Sequence, residues 1–93
     1  MNLKIEEPMK EGFTIYSKSG CPNCRNVKKI LLKQQIFFHE IYCDEYLLFE
    51  RDKFLSFIEE KTGKECKSFP IVFHNGVLLG GFADTEKHLQ LNQ

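Results

Sequence analysis

The spacing of hydrophobic and polar positions changes several times along the chain. Phe13-Thr14-Ile15-Tyr16 is a short aromatic and β-branched run and predicts a strand. Ser17-Lys18-Ser19-Gly20 interrupts it as a loop. From Pro22 the period becomes helical: Val27, Ile30, Leu31 and Gln34 share a face, with Lys28, Lys29 and Lys33 between them. Pro22 suits the first turn of such a helix, where its missing N–H would have had no partner. Phe37 to Cys43 predicts a second strand. Asp44 is expected to cap a second helix through about Lys61, with Leu47, Leu48, Phe54, Leu55 and Ile58 on its apolar side. Thr62-Gly63 ends it, Gly being the usual residue after a helix.

Pro70 to His74 predicts a third strand and Val77 to Leu79 a fourth. Between them Asn75-Gly76 is a strong signal for a type I′ turn, which needs positive φ at both positions. Gly80-Gly81 breaks the fourth strand, and Asp84-Thr85 is expected to cap a last helix through about Leu91. The order is β-α-β-α-β-β-α: an α/β fold with a mixed four-stranded sheet flanked by helices. The first two strands, joined by a helix, should be parallel, and the last two an antiparallel hairpin. Residues 1–93 are read as a single domain, with residues 1–11 as a polar and loosely held lead-in.

Composition narrows the function classes. Hydrophobic residues make up 42% and charged residues 28% of the 93, as in a globular domain rather than a disordered chain. Nine Phe and no Trp predict a core filled largely by Phe. A formal net charge of zero argues against a nucleic-acid binder, which would carry a basic excess. No apolar run is long enough to cross a membrane, and the first residues lack the apolar segment of a secretion signal. A cytoplasmic, reducing setting and a monomeric chain are the expectations, and in that setting cysteines are rarely structural disulfides.

Of the four cysteines, Cys21, Cys24, Cys43 and Cys66, only the first two have motif spacing. Two cysteines separated by two residues serve zinc sites as well as redox sites. A structural zinc site commonly needs a second such pair, and His39, His74 and Cys43 do not supply one. The redox reading has a mechanism. Cys21 is expected at a helix N-terminus, where unpaired N–H groups and the positive end of the helix dipole favour an anion, and Lys18 adds a positive charge. The thiolate is the nucleophile, and an ordinary Cys, with a pKa of about 8.5, is only a few per cent ionised at pH 7. Bringing it to ambient pH takes about 2 kcal/mol, which a helix end and a lysine can supply together. Cys24, one turn on, would reach Cys21 and resolve a mixed disulfide.

Three segments, in order, resemble the glutaredoxin family over about Phe13 to Leu89. Tyr16-Ser17-Lys18-Ser19-Gly20-Cys21-Pro22-Asn23-Cys24 is close to the family's lysine followed by Cys-Pro-Tyr-Cys. Ser68-Phe69-Pro70 stands where the family has Thr-Val-Pro with a cis proline. Gly80-Gly81-Phe82-Ala83-Asp84 is close to the family's Gly-Gly-x-x-Asp. The resemblance implies a thioredoxin-like fold, catalytic Cys21 and Cys24 that form a redox disulfide, and glutathione as co-substrate with no tightly bound cofactor and no metal. It implies a glutathione site at Lys18, Lys67, Phe69, Pro70, Gly81, Ala83 and Asp84. The Phe69 main chain would pair with the cysteine of glutathione. Gly81 would allow close backbone approach. The start of the last helix and Asp84 would hold the γ-glutamyl end, and Lys18 with Lys67 the glycine carboxylate.

Asn23 departs from the family's aromatic, and the loop Gly63 to Ser68 looks longer than usual before the proline. Cys43 reads as an inert core residue, whereas Cys66 falls in that loop. The implied partners are glutathione and disulfide-containing or glutathionylated proteins. Two other readings stay open. One is an electron donor reduced by a thioredoxin-reductase-type flavoenzyme and serving ribonucleotide reductase. The other is a non-enzymatic dimer sharing a [2Fe–2S] cluster through Cys21 and glutathione.

Overall fold

The computed structural model describes residues 3–91. Strand β1 (Phe13–Ser17) leads through the Lys18–Gly20 loop into helix α1 (Pro22–Lys33), and the chain returns as β2 (Phe38–Tyr42). Helices α2 (Asp44–Phe49) and α3 (Arg51–Thr62) follow, then the hairpin β3 (Ile71–His74) and β4 (Val77–Gly80), and last α4 (Phe82–Leu91). The sheet order is β2-β1-β3-β4. β1 is parallel to β2 and antiparallel to β3, and β3 is antiparallel to β4. This is the thioredoxin-like arrangement expected from the order of elements.

Alternation along β1 and β3 sends side chains to two opposite layers. Ile15 stands opposite Val72, and both join Phe13, Val27, Leu31 and Leu89 in the layer under α1 and α4. Tyr16 stands opposite Ile71, and both join Ile41, Cys43, Phe54, Ile58 and Phe73 in the layer under α2 and α3. With both faces covered, every residue of β1 is buried. The segment from Lys18 to Cys24 therefore starts from the most enclosed strand of the sheet. Among the described residues, no helix is long and apolar enough to cross a membrane.

Turn chemistry at Asn75-Gly76 is as expected, with φ of 54° and 80°. Asn75 also accepts a hydrogen bond from the Gly12 N–H at 2.7 Å and returns one from its own N–H to the Gly12 carbonyl. Gly63 ends α3 in the left-handed conformation.

Several expectations need correction. The single helix from Asp44 to about Lys61 is two helices, parted at Glu50 (φ −145°, ψ 53°). No breaker residue stands there. Instead the Glu50 carboxylate accepts the Leu3 N–H at 2.8 Å and pairs with Lys53, a contact spanning 47 residues that local pattern does not encode. Asp44 is not the cap of α2; Cys43 holds that position, and Asp44 reaches the active-site loop instead. The last helix starts two residues before Asp84. The core is not dominated by Phe: Phe13, Phe54 and Phe73 are buried, but Phe37 is 95% exposed and Phe49 52%. Ile, Val and Leu fill most of the remainder, with Tyr16, Cys21, Cys24 and Cys43.

The described part of the N-terminal lead-in has no helix or strand but is attached at many points. Ile5 is buried in the α2–α3 layer. Tyr16 donates to the Glu6 carbonyl at 2.7 Å, Tyr46 donates to the Lys4 carbonyl, and Lys53 donates to that of Leu3.

Burial pushes the Cys43 thiol up to about 12, well above the usual thiol range. Burial also raises the Tyr16 hydroxyl above its usual range, helped by Cys43 and Glu7 nearby. Both groups are thus kept neutral by folding, and above about pH 9 the unfolded chain holds fewer protons than the folded one. Stability should then fall as pH rises from about 9 toward 12, by up to about 1.4 kcal/mol per pH unit for each group. Urea unfolding at stepped alkaline pH measures this slope. Cys43→Ala should make it shallower, and an unchanged slope would contradict the assignment to Cys43.

Candidate active site

The end of β1 and the start of α1 set the geometry of the cysteine pair. Cys21 has extended backbone (φ −114°, ψ 101°) and occupies the N-cap of α1 with Pro22 as the first helical residue. Its sulfur accepts the Cys24 N–H at 3.1 Å, and its carbonyl accepts the Arg25 N–H at 3.3 Å. A sulfur thus performs the capping usually done by a Ser, Thr or Asp oxygen. The first turn of α1 carries no acidic side chain. Cys21 and Cys24 are joined as a disulfide with their Cα atoms 5.3 Å apart, and both are buried. The spacing of one helical turn is what lets the two sulfurs meet.

The loop leading to Cys21 is held from α2. The Asp44 carboxylate accepts the Ser19 N–H at 2.9 Å and also the Ser19 hydroxyl. These bonds, with Lys18 nearby, hold the Asp44 carboxyl below the usual carboxylate range. Gly20 follows at φ +69°, a conformation that favours glycine. The Lys18 ammonium lies 5.6 Å from the centre of the Phe69 ring, within cation–π range.

Phe69 precedes Pro70 across a cis peptide bond. Its ring is parallel to that of Phe54 at 6.1 Å, and Phe54 in turn stacks on Tyr46 at 5.5 Å. The loop before β3 and the loop before α1 are therefore supported by one aromatic column rising from α2 and α3.

An open groove of about 410 Å³ runs between the segment from Glu65 to Ile71 and the segment from Gly80 to Asp84. Asn23, between the two cysteines in the first turn of α1, also lines it. Of the expected site residues, Lys67, Phe69, Pro70, Gly81, Ala83 and Asp84 line this groove; Cys21, Cys24 and Lys18 do not, and the Lys18 ammonium lies over the Phe69 ring. The N–H groups of Phe82, Ala83 and Asp84 precede the first main-chain bond of α4, from the Thr85 N–H to the Gly81 carbonyl, and have no intrahelical acceptor. Asp84 reaches back to accept the Gly81 N–H at 3.3 Å, as the third residue of a capping box does.

The chain is matched over residues 13–79 by the family model described as Glutaredoxin. It belongs to the glutaredoxin family. As a glutaredoxin-fold oxidoreductase it is 30% identical over 73 residues to the glutaredoxin-like protein NrdH of Lactococcus lactis subsp. cremoris, covering 78% of this chain and 90% of the relative. It superposes on Glutaredoxin 1 from Francisella tularensis, solved with cacodylate, with a TM-score of 0.75 and 27% identity over 87% of this chain and 96% of the other. A buckwheat glutaredoxin–glutathione complex matches with a TM-score of 0.68 and 26% identity, over 85% and 69% of the respective chains.

Sequence reasoning missed the part of three residues in this region. Asp44 is 25 positions from Ser19, so nothing local announces their bond. Glu65 pairs with Lys67 at 2.7 Å on the groove rim. Gly80, rather than Gly81, is the glycine with no room for a side chain. At Gly80 (φ +129°) an added Cβ would lie 2.2 Å from Asp84 Oδ2, while at Gly81 it would meet the Pro70 carbonyl at an ordinary 3.7 Å. The paired glycines were visible in the sequence, but not which one faces Asp84.

Cys66 also lies on the groove wall, its thiol 3.8 Å from the Lys64 carbonyl and the Thr62 hydroxyl. Cys43 is fully buried. Among the described residues, no group of three or more His, Cys, Asp or Glu is placed to hold a metal ion.

Gly80→Ala should cost about 2 kcal/mol, since the substitution combines a strained backbone with a displaced Asp84. In a domain of this size that corresponds to a fall in Tm of roughly 8–16 °C. Gly81→Ala should cost less than about 1 kcal/mol. Thermal unfolding of the two variants checks the order, and the reverse order would show that the close approach is at Gly81.

Proposed function

We propose that this glutaredoxin is a glutathione-dependent thiol–disulfide oxidoreductase acting on protein disulfides and on mixed disulfides of proteins with glutathione. The observation that carries the reading is the joint position of two features. The sulfur capping α1 accepts an N–H at 3.1 Å, and the same first turn of α1 forms a wall of a groove that ends at the start of α4. A groove with unpaired N–H groups and a carboxylate at one end suits the carboxylate and ammonium of a γ-glutamyl group. The buckwheat glutaredoxin–glutathione complex, similar over most of this chain, supports the same ligand.

In the reduced protein the Cys24 N–H and the other opening N–H groups of α1 stabilise the Cys21 thiolate. That thiolate attacks the glutathione sulfur of a mixed disulfide. A Cys21–glutathione bond forms, the sulfur–sulfur bond between glutathione and the substrate protein breaks, and the departing protein thiolate takes a proton from water. Two routes then close the cycle. A second glutathione thiolate attacks the bound glutathione sulfur, releasing glutathione disulfide and the Cys21 thiolate. Alternatively, Cys24 attacks the Cys21 sulfur, the Cys21–glutathione bond breaks, and glutathione leaves with the proton that Cys24 loses. This gives the Cys21–Cys24 disulfide present in the structure, which two further glutathione molecules reduce, leaving as glutathione disulfide.

Likeness to a glutaredoxin-like NrdH protein favours a second reading of the same chemistry. The pair would then be reduced by a thioredoxin-reductase-type flavoenzyme and pass its electrons to ribonucleotide reductase. Steady-state rates with each donor decide between the two, and activity confined to the flavoenzyme would overturn the glutathione reading. Under that reading Cys21→Ser should abolish all turnover. Cys24→Ser should lose the dithiol route yet retain reduction of glutathione mixed disulfides, at a rate within about tenfold of the parent. Equal loss of both reactions in Cys24→Ser would refute the two-route scheme.

A further inference from the structure

The charged side chains that line the groove are Glu65, Lys67 and Asp84. Their formal sum is one negative charge, and glutathione at neutral pH, with two carboxylates and one ammonium, also carries one. Asp84 lies at the α4 end, where opening N–H groups offset it. At the other end Lys67 is the cation that lines the groove, with Lys18 over the Phe69 ring behind it, and the Glu65 carboxylate already pairs with Lys67 at 2.7 Å. Each partner holds the other ionised: Glu65 lies below the usual carboxylate range and Lys67 above the usual ammonium range, first through the hydrogen bond and then through its charge. A glycine carboxylate entering here must share the ammonium with a fixed carboxylate of the same sign.

Resting on the glutathione reading of this groove, we infer that Glu65 is a specificity-determining residue that weakens the hold on a free carboxylate at the glycine end, so that glutathione blocked there as an amide enters at least as readily. An amide carries no charge and does not meet Glu65 as a like charge. Glu65 thus sets the preference by an unfavourable contact with the free acid rather than by an added attraction to the blocked form.

The test uses the reduced full chain in single turnover with two mixed disulfides of 2-mercaptoethanol, one with glutathione and one with glutathione amidated at glycine. Acid quench and mass measurement follow the Cys21 adduct. For the parent protein the amide should react at least as fast as the acid at subsaturating concentration. Glu65→Gln should move the ratio toward the free acid by about two- to fivefold at low salt, the range an exposed ion pair supports. The change should fade near 1 M salt, where screening acts over about 3 Å. Lys67→Gln, which leaves Glu65 unpaired, should move the ratio the other way. An acid-to-amide ratio that Glu65→Gln leaves unchanged would overturn the inference. Failure of the underlying reading is distinguishable: both glutathione compounds would then react no faster than bis(2-hydroxyethyl) disulfide.

Discussion

A helix beginning in the middle of an active site needs an acceptor for its first N–H groups, and in this protein the acceptor is the sulfur of Cys21. One atom is thus the cap of α1 and, in the proposed chemistry, the nucleophile. The arrangement imposes the rest of the site. The sulfur must stand at the exit of a rigid strand, which β1 provides by being covered on both faces. The loop between them must turn sharply, which Gly20 allows at φ +69°. It must also be held from outside, since three residues cannot pack a core of their own. Asp44 does this through the Ser19 main chain and hydroxyl. The same N–H groups that need an acceptor in the disulfide form are there to stabilise a thiolate in the reduced form.

The second support is the aromatic column of Tyr46, Phe54 and Phe69, with the Lys18 ammonium over its outer ring. Aromatic pairs of this kind contribute about 0.5–1.5 kcal/mol each beyond their buried area, and an exposed cation over a ring about 0.5–1 kcal/mol. No single contact is decisive. Together they tie the loop of Lys18 and the segment before Pro70 to the same two helices, α2 and α3. Tyr46 also donates to the Lys4 carbonyl, which extends the support to the N-terminal segment. At the far end of the groove the constraint is steric: Asp84 occupies the space a side chain at Gly80 would need.

Much of this was legible in the chain itself. The strand before Ser17, the helix opening at Pro22, the Asn75-Gly76 turn and the stop at Gly63 all depend on residues within a few positions of one another. For the same reason the Cys21–Cys24 pair was readable, one helical turn being a local distance. The split at Glu50 and the engagement of Asp44 with Ser19 were not readable, because each is decided by a partner 47 or 25 positions away. The nine Phe residues misled for a related reason. Composition counts side chains but does not say that Phe37 faces outward and Phe54 inward.

The sequence by itself determined the order of elements, the chemistry of the cysteine pair and the family, since periodicity, turn residues and short motifs are local properties of the chain. Only the tertiary structure decided which charges meet in the groove. Folding sets Glu65 against Lys67, and α4 places Asp84 against Gly80, whereas the sequence motif had singled out Gly81. Electrostatic and steric contacts fall off within a few ångströms, so what a side chain faces depends on how the whole chain is packed. Cys21 could be named from its neighbours in the sequence, whereas the way its sulfur is held and the groove beside it is charged depended on residues far along the chain.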